Sequence, residues 1–127
     1  MIIEGFDTEF VIDEDLVEES RDEIRKQVEE FLRGERKVFD LEFSFPGGGL
    51  GFVLRELNRI PYGETRTYSE IAEKVDSAPI AIGQYCCRNP LPLIIPCHRV
   101  VGKNDLGGYR SGKAAKKKLL ELEGSDF

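Results

Sequence analysis

Cys97 and His98 stand side by side at the exit of an apolar run, in the stretch LIIPCHRVVG at 93 to 102. A thiol of ordinary pKa, near ~8.5, is mostly protonated at neutral pH, so a nucleophilic cysteine needs a base or a positive field. His98 is the only histidine in the chain. Adjacent side chains point apart, so the imidazole would reach the sulfur through a bridging water. An acid must then fix its tautomer and support its positive charge. Glu123, after the last helical pattern, is a suitable partner. A Cys-His pair without context is more often an inert buried cysteine beside a satisfied histidine, so its surroundings have to decide.

A chain of 127 residues suits one compact domain or two small lobes. No apolar run approaches the roughly 20 residues that span a bilayer, and MIIEGFDTEF lacks the basic region and apolar stretch of a signal peptide. A cytoplasmic protein with free thiols and no membrane partner is expected. Cys86, Cys87 and Cys97 have no zinc-site spacing, and one histidine adds little, so no metal or cofactor is expected. The net charge of -6 argues against a nucleic-acid partner until it is divided along the chain. Residues 1–46 carry fifteen acids and six bases, whereas residues 79–118 carry eight bases against Asp105 alone. The basic segment surrounds CHR, and an anionic substrate fits there.

The elements that must position this chemistry fall on either side of PGGG at 46 to 49. Before it, strands at 1–6 and 9–12 flank a turn at Asp7. A helix is expected from Asp15 to Leu32, with Val17, Ile24, Val28 and Phe31 inward and Gly34 as its stop. A strand is expected from Phe39 to Phe45. The division predicts an α/β lobe at 1–46 and a mostly helical one at 47–127. In the second, helices are expected from Phe52 to Ile60 and from Tyr68 to Val75, the latter with Thr67 and Glu70 at capping-box spacing. After a four-residue turn comes a helix from Pro79 to Arg88, giving a helix-turn-helix pattern. A closing helix starts near Ser111 and turns Ala115, Leu119 and Leu122 inward. Ala78, Ala81 and Gly83 are small where a major-groove reader would offer Arg, Asn or Gln. Small residues let a helix approach a minor groove, or simply pack against a neighbour.

NPLPLIIPCHRVVG (89–102) resembles the active-site signature of the O6-alkylguanine-DNA alkyltransferases, the methylated-DNA–protein-cysteine methyltransferases. IPYGETRTYSEIA (60–72), AIGQYCCRNP (81–90) and GGYRSGKAAKKKLLELEG (107–124) extend the resemblance. It implies an α+β two-lobe fold: a ribonuclease H-like N-terminal lobe, then a winged helix-turn-helix-like C-terminal lobe. It implies irreversible, single-use transfer of an alkyl group from O6-alkylguanine in double-stranded DNA, and possible action on O4-alkylthymine, to Cys97 without a cofactor. Cys97, His98 and Glu123 match the relay, Asn89 the asparagine that orders the turn, and Tyr68 the tyrosine that contacts the flipped guanine and donates a proton. Pro92 matches the pocket wall, and the Val100 and Cys97 carbonyls match acceptors for the guanine amino group. Tyr109, Arg110 and Ser111 match the loop over the base, and Arg99 a buried structural arginine. Thr67, Tyr68, Ala78, Ile80, Ala81, Gly83, Arg88 and Lys113 fall where the DNA would lie.

Ile80 departs from the family, which places an arginine there to fill the gap left by the flipped base. Cys86 and Cys87 match no family role, and packing is their default. A non-catalytic damage-binding relative is disfavoured by the presence of Cys97. A small thiol hydrolase would need an acyl site, and nothing in the sequence specifies one. A plain helix-turn-helix regulator would leave PCHR without purpose. A monomer is expected, since one acceptor needs no symmetry partner.

Overall fold

The computed structural model describes residues 1–125; the last two positions of the expected second lobe, 126 and 127, lie outside the described residues. The chain opens with an antiparallel hairpin of β1 (Ile2–Gly5) and β2 (Thr8–Val11), in which Ile3 pairs with Phe10 and both are buried. Phe6 and Asp7 make its turn at φ 51° and 60°. Left-handed backbone at both turn positions matches the twist of the two strands.

The first helix, α1, runs Arg21–Leu32 rather than from Asp15. Local hydrogen bonding explains the difference. The Ser20 hydroxyl accepts the Glu23 N–H at 3.2 Å and caps the helix. Upstream, the backbone is already engaged: Val17 bridges Phe43, Glu18 N–H donates to Glu42 O at 2.8 Å, and Ser44 N–H donates to Leu16 O at 2.8 Å. Val17 therefore packs from extended chain. The expected strand from Phe39 to Phe45 reduces to that bridge. Buried Gln27 takes its other backbone groups, donating to Asp40 O at 3.0 Å and accepting Asp40 N–H at 2.8 Å.

The helix expected at Phe52–Ile60 is α2, Gly48–Leu57, which starts inside the glycine run. A Cβ on Gly51 would overlap the Pro46 carbonyl, so the glycines permit a tight entry into the helix. Then come β3 (Arg66–Thr67), α3 (Tyr68–Val75) and α4 (Pro79–Cys87). The capping box is complete, with Glu70 N–H to Thr67 Oγ1 at 3.1 Å and Thr67 N–H to Glu70 Oε1 at 3.0 Å. Such a cap stabilises a helix by about 1 kcal/mol. The α3–α4 link has three residues rather than four, and Asp76 turns it at φ 55°. β4 (Val100–Val101) pairs in parallel with β3. The last helix, α5, is Lys113–Leu122; its inward face holds Ala115 and Leu119 as expected, but also Lys116, while Leu122 is half-buried.

One apolar core runs from Ile3, Phe10 and Phe31 through Leu54 and Ile82 to Ile95 and Leu119. The architecture is mixed α/β, with small two-stranded sheets and α-helices. Among the described residues no helix is long and apolar enough to cross a membrane.

Candidate active site

The segment after α4 is held by one buried side chain. Asn89 donates from Nδ2 to Ile95 O at 2.9 Å and accepts the Leu91 N–H on Oδ1 at 2.9 Å. That clamp supports Leu93 at φ 73°, a left-handed conformation that a leucine adopts at a cost. The loop delivers a single tight turn, Cys97–Arg99, in which three successive functional side chains are buried. Burying three polar groups in a row is tolerable only where each finds a partner.

Glu123, just past α5, supplies two of those partners. His98 Nε2 lies 2.6 Å from Glu123 Oε2. Arg99 donates from Nε to Oε1 at 2.8 Å and from Nη2 to Oε2 at 3.1 Å, and from Nη1 to Ile60 O at 2.8 Å. Arg99 thus ties the 60s turn to the end of α5. Burial alone would raise the Glu123 pKa, but the hydrogen bonds from His98 and Arg99 overcome it and hold the carboxyl down at about 2. An ionised Glu123 accepts the Nε2–H, which leaves Nδ1 as the basic nitrogen. Nδ1 is buried and has no protein partner. Burial pushes the imidazole pKa down, partly against Glu123, so the ring is neutral at pH 7. Burial also raises the Cys97 thiol above its ordinary value, while the Asn89 amide and Lys116 pull it back. The sulfur is therefore a thiol at rest, and the next residue in the chain carries a basic nitrogen without a protein partner.

Two cavities meet at Cys97. One, of about 450 Å³, extends past Asn89, Pro92 and Ser111 to the hairpin residues Asp7 and Glu9. The other, of about 440 Å³, lies between Tyr68 and the first turns of α4, with Ile80 and Gly83 on its wall. Cys86, Cys97, Tyr109 and Arg110 border both.

The remaining expected residues divide by position. Tyr68 is half-buried at the start of α3, and burial pushes its hydroxyl up to about 12. Tyr109 is held by the protein with its hydroxyl buried and unpartnered, whereas Arg110 is exposed. Ser111 is tied to the hairpin, its Oγ donating to Glu9 O at 3.0 Å while Thr8 Oγ1 donates to Ser111 O at 2.8 Å. Val100 borders neither cavity, and its carbonyl accepts Lys116 Nζ at 2.6 Å. The Cys97 carbonyl in turn accepts the Val100 N–H. Each carbonyl thus already accepts one hydrogen bond and has a second lone pair left.

On the surface, Ala78 caps α4, Ala81 and Gly83 are half-buried, and Arg88 stacks over Tyr85 at 5.0 Å. Thr67 is spent on the α3 cap, and Lys113 is exposed at the start of α5. Ile80 is 78% exposed, which excludes a core role for it.

Sequence reasoning missed two residues. Cys86, assigned to packing, is on the wall of both cavities. Lys116, taken with its neighbours as a surface base, is fully buried. The signal lay in spacing: Lys116 falls three before Leu119 and four before Leu120, on the stripe that faces the core.

Residues 52–125 match the family described as 6-O-methylguanine DNA methyltransferase, DNA binding domain. The methylated-DNA–protein-cysteine methyltransferase of Archaeoglobus fulgidus is 46% identical over 112 residues, 83% of this chain and 76% of the relative. That of Methanocaldococcus vulcanius is 55% identical over 71 residues, covering 56% of this chain and 44% of the relative. Among solved structures, the Mycobacterium tuberculosis OGT in complex with DNA aligns with a TM-score of 0.73 at 41% identity, over 77% of this chain and 62% of that one. The chain thus spans three quarters of one relative and less than two thirds of the others named. Its fold, its PCHR turn and these alignments agree, and the chain belongs to the O6-methylguanine DNA methyltransferase family.

Proposed function

We propose that the protein repairs DNA by transferring the alkyl group of O6-alkylguanine, irreversibly and once per molecule, to Cys97 Sγ. The observation that carries this reading is a buried thiol where two cavities meet next to the α3–α4 pair, followed in the chain by a Glu123-held imidazole with an unpartnered nitrogen. A buried thiol whose pKa is raised reacts only if its proton is removed, and His98 Nδ1 takes it through a bridging water. Glu123 supports the resulting imidazolium. The sulfur then forms its bond to the alkyl carbon as the carbon–O6 bond breaks, and Tyr68 protonates the departing base.

The base enters the cavity between Tyr68 and α4, and the alkyl group points past Pro92 and Asn89. The lesion lies within a duplex, so the nucleotide is extruded at a cost of a few kcal/mol. The α3–α4 pair is read as a winged helix-turn-helix-like unit on the minor groove; its short link and the small residues Ala78, Ala81 and Gly83 support this. Residues 1–46 are read as a reduced ribonuclease H-like lobe, supported by their hairpin-then-helix order, and 47–127 as the DNA-binding and acceptor lobe. The occupied Val100 carbonyl requires the guanine amino group to share it with Lys116 or to find another acceptor. The protein acts as a cytoplasmic monomer.

Incubation with methylated duplex DNA, followed by intact-protein and peptide mass measurement, tests the reading. One methyl mass is expected, on Cys97, and none in Cys97→Ser, because an alcohol is a far poorer nucleophile near neutral pH. Methyl on Cys86 in place of Cys97 would refute it.

A further inference from the structure

The segment after α1 is paired on one side only. From Phe39 to Pro46 it runs without turn or bend, and its even-numbered residues turn their backbone groups to the first lobe. Gln27 engages both groups of Asp40. Glu42 N–H donates to Glu19 Oε1 at 2.9 Å, and its carbonyl accepts the Glu18 N–H at 2.8 Å. Ser44 N–H donates to Leu16 O at 2.8 Å. Alternate residues of an extended chain present their backbone groups to opposite edges. Phe39, Leu41 and Phe43 therefore hold the other edge, and among the described residues no group bonds to their backbone N–H or carbonyl. The same three residues, half-buried, line a cavity of about 420 Å³ between the lobes, together with Tyr62 and Ile94. Val38 beside them is exposed. An open edge with an apolar border is the arrangement that accepts an added strand. Charge makes it selective. Lys37 and Arg59 line the cavity and no acid does, although the first 46 residues hold fifteen acids against six bases.

We infer that this edge docks an extended, acidic peptide segment of a partner protein, which adds a strand beside Phe39–Phe43 and sets alternate apolar side chains into the cavity. The free N–H and carbonyl groups supply direction and affinity, and the pockets between side chains supply specificity. Lys37 and Arg59 select the sign of the partner's charge and speed its arrival. Lys37 Nζ already lies over the Tyr62 ring at 5.7 Å, which holds it at the cavity wall. The dock shares no residue with the two cavities that meet at Cys97. It lies behind the acceptor turn, against Pro96 and Arg99. A partner held there leaves the thiol and the α3–α4 pair free, so binding and alkyl transfer proceed together.

The test is binding of a pool of labelled hexapeptides, with Asp or Glu alternating with Val or Ile, to the full chain, read by fluorescence anisotropy and by amide hydrogen exchange. On binding, the amides of Phe39, Leu41 and Phe43 should gain protection, while those of Asp40, Glu42 and Ser44, already bonded, should change little. Arg59→Glu should weaken binding by about 10-fold or more, and so should replacement of the peptide acids by Lys. Peptides methylated on alternate backbone nitrogens cannot complete the ladder and should not bind. An unchanged rate of transfer to free O6-benzylguanine shows that Arg59→Glu is folded. Absence of binding by the pool at millimolar peptide, protection confined to other amides, or equal binding of the Lys peptides overturns the proposal. If the protein alone dimerises and Arg59→Glu makes it monomeric, the occupant is a second copy and the partner peptide is overturned as well.

Discussion

The Glu123 carboxylate serves two neighbours at once, orienting His98 and neutralising Arg99, and both lie inside the protein. Glu123→Gln keeps the shape but leaves the Arg99 guanidinium without an anion. It also leaves the imidazole without support when it takes the Cys97 proton. Loss of such general-base support should slow transfer to free O6-benzylguanine by roughly 10²- to 10⁴-fold. Breaking one side of a buried ion pair should lower stability by about 3–5 kcal/mol, so rates belong well below the melting temperature. The acid response follows from the same contact. The folded carboxyl titrates near 2, below its ordinary value of 4.5, so the unfolded chain binds protons first as acid is added. The stabilisation is complete above about pH 4.5 and is lost as pH falls toward 2. Buried His98, held neutral, must also take a charge in acid, which acts in the same direction. Urea midpoints from pH 7 down to 3 should fall steeply in wild type and more gently in Glu123→Gln. Parallel curves would mean that Glu123 is not the group that titrates.

Among the elements, the α3–α4 pair carries the contrast between what the sequence declares and what only packing decides. The α3 boundaries were legible because the cap is local: Thr67 and Glu70 complete their box within four residues. The Cys97–His98–Glu123 constellation was legible through residue type and family pattern, although its geometry depends on α5 reaching back across the chain. The strand expected at Phe39–Phe45 was not legible as loop, because its fate rests on Gln27, a polar residue whose side chain imitates a neighbouring strand from within α1. Lys116 was hidden for the opposite reason: a charged side chain read as surface finds three oxygens inside. Ile80 shows the surface version of the problem. It is 78% exposed on the wall of the cavity beside Tyr68, where the sequence resemblance leads one to expect an arginine. An isoleucine can wedge between bases of a duplex but cannot hydrogen-bond the orphaned partner. Ile80→Ala should therefore lower the ratio of duplex rate to free-base rate by about 10-fold, equivalent to roughly 1.4 kcal/mol, and Ile80→Arg should preserve or raise it. An unchanged ratio in Ile80→Ala would assign the wedge to another side chain.

At the scale of the whole molecule, charge is segregated. The first 46 residues carry a net charge of -9, and residues 79–118 carry +7. The hairpin that closes one end of the cavity past Asn89 and Pro92 therefore presents Asp7 and Glu9, while the bases lie just past α4, in the segment leading to α5 and on α5 itself. An acidic protein can in this way bring one face to a phosphate backbone while the rest is repelled, which orients the encounter as well as promoting it. Not every base on that face is available. Arg99 is committed to Glu123, and Lys118 lies 3.7 Å from Asp7. Lys116 is inside, while Lys113 and Lys117 on the same helix are exposed. Each lysine that neutralises a phosphate adds about 0.9 to the steepness with which log K falls against log salt. Lys113→Ala should therefore flatten the salt dependence of duplex binding by about that amount. Lys116→Met, which removes the same formal charge from the same helix, should leave the slope where it was, because a buried ammonium releases no counterion when DNA arrives. The two slopes, measured on an unmodified duplex from 50 to 200 mM salt, separate a lysine that holds DNA from one that is buried. Equal flattening in both variants would place Lys116 at the phosphates rather than in the interior.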